Sequence, residues 1–234
     1  MMARMSAFGG LGSFVRRPKS ERPVVDRRPR LDGVPVDRLP DILPEVKRGK
    51  RRRITVIGED VLHRPTRPVT EFGTKELREL VNDMFATNAV ASGAGLAATQ
   101  VGVDLAVFVY DCTDKYDVRH VGHVCNPVIE DLPVDVAGRQ SGWEGCLSVP
   151  GGGYDLARAD YAVVRGFDQR GNPLRLEGTG LLARCFLHET DHLDGILYVD
   201  HLGEKGRKVA LAEMEQYKQE IWDEWDAKAA ELGK

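Results

Sequence analysis

The sequence predicts an α+β fold. Three observations predict it. Short β-branched or alternating runs at 105–110, 121–129, 161–167 and 172–177 read as strands. Between and after them, segments 74–90, 180–193 and 204–232 carry apolar residues at helical spacing. Hydrophobic residues make up 42% of the 234 positions, enough to bury a core. The length fits one domain, or one domain plus a tail. No run reaches the roughly 18 uncharged apolar residues of a membrane span, so no membrane association is expected.

The elements follow in order. Residues 1–53 hold 15 Lys/Arg against 6 Asp/Glu, a charge of +9 that leaves −12 for the rest of a chain whose total is −3. This head is rich in Arg, Pro and Gly without apolar periodicity. It is expected to be a basic, mostly disordered extension. Within it, residues 40–50, with Leu39, Ile42, Leu43 and Val46, are expected to form a short turn docked on the body. The start of the chain is Arg- and Ser-containing and lacks acids, which fits an organellar transit segment weakly and a bacterial extension equally well. No apolar signal core follows it. The expected location is the bacterial cytoplasm, with an organelle as the alternative. The four cysteines contain no C-x-x-C pair, which fits a reducing compartment.

The body is expected over residues 54–203. It opens on a short strand at 54–58. Thr74 is a suitable cap for a helix whose Leu77, Leu80, Val81, Met84 and Phe85 share a face. The helix at 180–193 is expected to be capped by Thr179 and stopped near Gly195. The last segment, 204–234, reads as an amphipathic helix packed on the domain through Met214, Ile221, Trp222 and Trp225.

Chemistry concentrates in three strings. In His188-Glu189-Thr190-Asp191-His192 the two histidines stand at i and i+4. On a helix that puts them one turn apart on one side, able to grip a single metal ion. The intervening glutamate can then take a proton from a water. The plainer reading is two histidines on a solvated face, but the apolar Leu181, Leu182, Cys185 and Phe186 place this helix in the interior. A third ligand is open. Gly195 fits an extended metallopeptidase motif, yet position 198 is Tyr198. Glu204, Glu213 and Glu215 lie downstream. Upstream, Cys146 stands in Glu144-Gly145-Cys146-Leu147-Ser148, in a tight loop or strand edge, as a thiolate ligand or a small buried hydrophobe. The third string, Gly93-Ala94-Gly95-Leu96-Ala97-Ala98-Thr99-Gln100, contains G-x-G-x-x-A. It follows a helix and precedes a strand, the wrong context for a dinucleotide fingerprint. It suits either a flexible turn or close backbone approach to an extended ligand. Asp191 is a carboxylate on a buried helix. An Arg158–Asp191 pair, or a role for Asp191 in orienting a ligand histidine, would satisfy it. Cys112, Cys125 and Cys185 are expected as buried thiols, and His63, His120, His123 and His201 at the surface.

The three strings GAGLAATQ (93–100), EGCLS (144–148) and HETDH (188–192), in this order and spacing, resemble the peptide deformylases over roughly residues 54–202. The resemblance implies mixed and antiparallel sheets around a central helix that carries HExxH. It implies hydrolysis of the N-formyl group from the formylmethionine of nascent polypeptides, by attack of a metal-bound hydroxide. Cys146, His188 and His192 would be the ligands of one divalent metal, Fe²⁺ natively, with Zn²⁺, Ni²⁺ or Co²⁺ as replacements. Glu189 would be general base and acid, and the Gln100 amide and the Leu147 N–H would steady the oxyanion. The peptide would run beside Ala94 and Gly95 and beside Gly151, Gly152 and Gly153. Its methionine would enter a pocket at Leu181, Arg184 and Cys185. Many relatives carry larger residues where this chain has Gly151-Gly152-Gly153, which would widen or loosen the site. A transient ribosome contact is also implied. The C-terminal helix is mildly acidic, so the basic head is expected to make it, without specific nucleic-acid recognition.

Overall fold

The computed structural model of the protein describes residues 26–234. The elements in chain order are β1 (Arg30–Leu31), β2 (Val34–Pro35), α1 (Pro44–Arg48), α2 (Lys75–Val90), β3 (Gly95–Ala97), β4 (Val107–Thr113) and β5 (Arg119–Ile129). They continue with α3 (Val134–Ala137), β6 (Gln140–Cys146), β7 (Val149–Arg158), β8 (Tyr161–Phe167), β9 (Pro173–Thr179), α4 (Leu181–Leu193) and α5 (Glu204–Leu232). The expected α+β class holds.

One seven-stranded sheet runs β2-β1-β5-β4-β3, with β8 joined to β5 and β9 to β8. All its pairings are antiparallel except β1 with β5. β5 serves two neighbours on one edge: β1 meets it at His120 and Val121, and β8 meets it from Cys125 to Ile129. The register breaks between Cys125 and Val128. There Asn126 clasps residue 69, accepting from Val69 N at 2.7 Å and donating to Val69 O at 2.9 Å. The strands β6 and β7 form a separate hairpin.

α4 lies between sheet and hairpin because it has two different faces. Leu182, Cys185 and Phe186 pack on Phe108, Tyr110 and Leu176 of the sheet. Arg184 and Asp191 reach the hairpin instead. α2 covers another part of the sheet through Leu77, Leu80, Val81 and Met84. Thr74 caps it, accepting from Leu77 N. α5 crosses the hairpin through Ala210 and Met214, then meets α2 through Trp225 and Ala229 against Val90 and Ala91. Trp222 packs at the edge of that contact.

Several expectations need correction. Residues 54–58 are not a strand. They run extended without a ladder, held by Thr55 N to Gln100 O and Ile57 N to Ser148 O. Gly180, at φ +58°, caps α4 in place of Thr179. The hairpin of β6 and β7 was not anticipated. Of the segment 1–53 expected to be mostly disordered, residues 26–53 are placed: β1 joins the sheet, Val46 of α1 is buried against α2, and Arg52 pairs with Asp83. Residues 1–25 lie outside the described part. Among the described residues no helix is long and apolar enough to cross a membrane.

Candidate metal centre and cleft

Helical periodicity sets the first part of the site. His188 and His192, one turn apart on α4, are buried with ring centroids 4.9 Å apart. Strand periodicity sets the second. Glu144 and Cys146, two residues apart in β6, are both buried on the inner side of the hairpin. Cys146 Sγ lies 3.1 Å from His192 Nε2. His188 Nδ1 is engaged by Glu144 Oε1 at 2.8 Å, which leaves its Nε2 for another partner. Ligand atoms of Cys146, His188 and His192 all fall within 4.8 Å of one another, the one such group of His, Cys, Asp and Glu side chains among the described residues.

The donor set fits a metal ion. Two imidazoles and a thiol converge at buried positions, and buried donors without a cation would cost desolvation. The zincin alternatives do not converge. Tyr198 is buried and stacks on His188 at 6.3 Å, and Glu213 accepts from Gly153 N instead.

Glu144 anchors the surroundings. It meets Arg158 at 2.8 Å, Arg184 at 2.7 Å and His188 at 2.8 Å. Burial works to raise its carboxyl, but His188 and Arg158 outweigh that and hold it well below the usual carboxylate range. Arg158 also meets Asp191 at 2.7 Å, the anticipated pair. Asp191 in turn meets His201 at 2.8 Å. His201 is therefore part of this network, and His120 and His123 are buried rather than superficial. His120 faces Asp114, and His123 accepts from Gln169 N.

Glu189 is 3% exposed and its Oε2 has no hydrogen-bond partner. Burial pushes its carboxyl up to about 7, while His188 pulls the other way. The Gln100 carbonyl accepts from Ala97 N at 2.9 Å, which turns the amide Nε2 toward Cys146 Sγ and Ser148 Oγ. A Cβ at Gly95 would lie 2.6 Å from Glu189 Oε1 and 2.7 Å from Cys185 Sγ, so the backbone passes against the carboxylate only as glycine.

These groups open on a cleft of about 510 Å³. Cys146, Gln100, His188 and Glu189 line it, and so do Leu147, Ala94 and Gly95. Gly151, Gly152, Leu181, Arg184 and Cys185 complete the anticipated set. Gly153 is apart from it. A Cβ there would collide with the Trp143 indole, which lies over Gly153 and Gly145. The glycines do not loosen the site either. A Cβ on Gly151 would meet Tyr217 Cβ at 2.7 Å, and one on Gly152 would overlap the Ala210 carbonyl. They are the surface on which α5 rests. Arg184 turns its guanidinium to Glu144, Leu156 O and Gln140 O, so its aliphatic stem is the part left for the cleft. Trp143, Ile221, Glu224 and Trp225 also line the cleft and were missed. The i, i+3, i+4 spacing of the last three was visible, but the spacing alone does not say what the helix faces.

Residues 51–208 match the profile of a family described as Polypeptide deformylase. The chain is 55% identical over 168 residues to Peptide deformylase 1 of Streptomyces avermitilis, covering 72% of this chain and 77% of that one. It is 50% identical over 160 residues to a peptide deformylase of Acidothermus cellulolyticus, covering 68% and 83%. A crystal structure of a peptide deformylase from Legionella pneumophila is similar at TM-score 0.65 and 36% identity, covering 72% of this chain and 96% of that one. The Ehrlichia chaffeensis enzyme in complex with actinonin is similar at TM-score 0.65 and 31% identity, covering 73% and 98%.

Proposed function

The chain belongs to the polypeptide deformylase family, and from that premise we propose how its own residues remove the formyl group from the start of a nascent peptide. The protein is a hydrolase: water adds across the formamide C–N bond, and formate and a free amine leave. The family is metal-dependent.

Cys146, His188 and His192 are the proposed ligands. A divalent ion held there supplies Lewis acidity that readies a water molecule near neutral pH. We take Fe²⁺ as the native ion; Zn²⁺, Ni²⁺ and Co²⁺ suit the same two-nitrogen, one-sulfur set. Glu189 accepts the proton of the attacking water at Oε2 and later gives it to the departing amine. Gln100 Nε2 and the Leu147 N–H donate to the formyl oxygen as it gains charge, each worth ~2.7–4 kcal/mol in the transition state. The peptide lies extended, as an added strand, between Ala94 and Gly95 on one side and Gly151 and Gly152 on the other. The methionine side chain enters beside Leu181, Cys185 and the stem of Arg184. Residues 54–203 carry the proposed catalytic residues, with 26–53 and the helix 204–234 packed on them. A bacterial cytoplasmic location and a transient ribosome contact through the basic head complete the proposal.

The observation that carries the role assignment is the buried, unpartnered Glu189 carboxylate beside three converging metal donors, at the floor of a cleft. The test is metal analysis of protein purified without oxygen, paired with a formyl-Met-Ala-Ser assay with and without chelator. Stoichiometric iron and chelator-sensitive formate release are expected. Full turnover in metal-free protein would overturn the assignment.

A further inference from the structure

Ile221, Glu224 and Trp225 of α5 line the same cleft as Cys146, His188 and Glu189. Their position is fixed by packing. Gly151 and Gly152 let the helix lie directly on β7, and Trp225 is buried against Val90 and Ala91 of the α2 end. Trp143, 68% exposed, lines the same cleft with its indole over Gly145 and Gly153 of the hairpin. The cleft lining therefore includes two indoles and an aliphatic side chain.

The charges along the cleft are unequal in kind. Glu144 and Arg184 neutralise each other at 2.7 Å. His188 and Glu189 are buried at the floor. Glu224 is exposed, and the lysines on either side of it in α5 are occupied, Lys218 by Glu215 and Lys228 by Glu231. Among the described residues Glu224 is thus the exposed, unpaired charge of the cleft lining, and it is negative.

We propose that α5 is a specificity wall: Ile221 and Trp225, with Trp143 of the hairpin in the same cleft lining, hold the residues that follow formylmethionine, and Glu224 selects Lys or Arg among them. The inference rests on reading the cleft as the formyl-peptide site. An extended chain rises about 3.3 Å per residue, so the second and third side chains stand roughly 7–10 Å beyond the reacting carbon. Long basic side chains suit such a mouth. Their methylene stems lie on aromatic faces while the head meets the carboxylate. An acidic side chain would meet like charge instead.

The test uses the full-length, metal-loaded enzyme and two peptide pairs, formyl-Met-Lys-Ala against formyl-Met-Glu-Ala and formyl-Met-Ala-Lys against formyl-Met-Ala-Glu. At low ionic strength one pair should show a kcat/KM ratio of roughly three- to tenfold in favour of Lys, shrinking with salt. Glu224→Gln should bring that ratio near unity, and Glu224→Lys should invert it. Measurable turnover with equal ratios in wild type and Glu224→Gln overturns the specificity wall and leaves the deformylase assignment standing. Absence of turnover on every peptide overturns both.

Discussion

Glu144 carries three partners at 2.7–2.8 Å, namely His188, Arg158 and Arg184, and Arg158 extends the chain of charges to Asp191. Two carboxylates and two guanidiniums balance in a largely buried place. Removal of one partner from such a cluster leaves charge uncompensated, at a cost of about 3–5 kcal/mol. Glu144→Gln keeps the shape and loses the charge. The His188 ring is then held less firmly, and metal affinity should fall about 10–100-fold in a competitive chelator titration. An unchanged Kd would refute an orienting role. Glu189→Gln should behave in the opposite way, binding metal normally while turnover falls by about 10²–10⁴. Cys146→Ala should not retain stoichiometric metal after dialysis; full occupancy by metal analysis would remove Cys146 from the ligand set. The ligands and Glu189 were readable from residue spacing, because a helix converts i, i+4 into proximity. Glu144 was not, although it belongs to the same short string as Cys146. Its partners stand 14, 40 and 44 residues away, and only the folded chain brings them together.

At the scale of elements, helices and classical alternating strands were legible, and the hairpin that carries Cys146 was not. Its strands contain Gly142, Gly145, Gly151, Gly152 and Gly153, residues with low strand propensity and no side chain to reveal alternation. Pairing there rests on what covers the glycines. Trp143 lies over the directly opposed Gly145 and Gly153, and α5 lies over Gly151 and Gly152. Conversely, the β-branched segment 54–58 found no strand to pair with, since local propensity cannot supply a partner. Gly152→Ala should destabilise the protein by about 1–3 kcal/mol through overlap with the Ala210 carbonyl, which the helix backbone cannot yield cheaply. Gly153→Ala should cost less, because the indole it meets is a side chain on an exposed rim. Thermal unfolding of both variants checks the order; equal midpoints would show that α5 is not seated on Gly152.

The whole molecule joins a basic start to an acidic body, and the boundary differs from the one composition suggests. Residues 26–53 belong to the folded unit through β1, α1 and the Arg52–Asp83 pair. A deletion meant to test the head must therefore stop at residue 25. Within 1–25 there are five Lys/Arg and one Glu. Their removal should weaken ribosome binding, most at low salt, with turnover of a short formyl peptide unchanged. Ribosome affinity identical to that of the full chain in sedimentation would defeat the idea.

The hairpin register has a consequence for how this chain can vary in length. Gly145 opposes Gly153, but the next residue, Cys146, opposes Val149, so the ladder slips where the strand reaches the histidines. A single residue gained or lost between Glu144 and Cys146 would send the thiol and the carboxylate to opposite faces. Insertions and deletions are thus barred from 144–146. They are admissible in the exposed stretch around α3, which joins β5 to β6. Lineages of this protein should drift in length at that connection and keep a fixed count from Glu144 to Cys146.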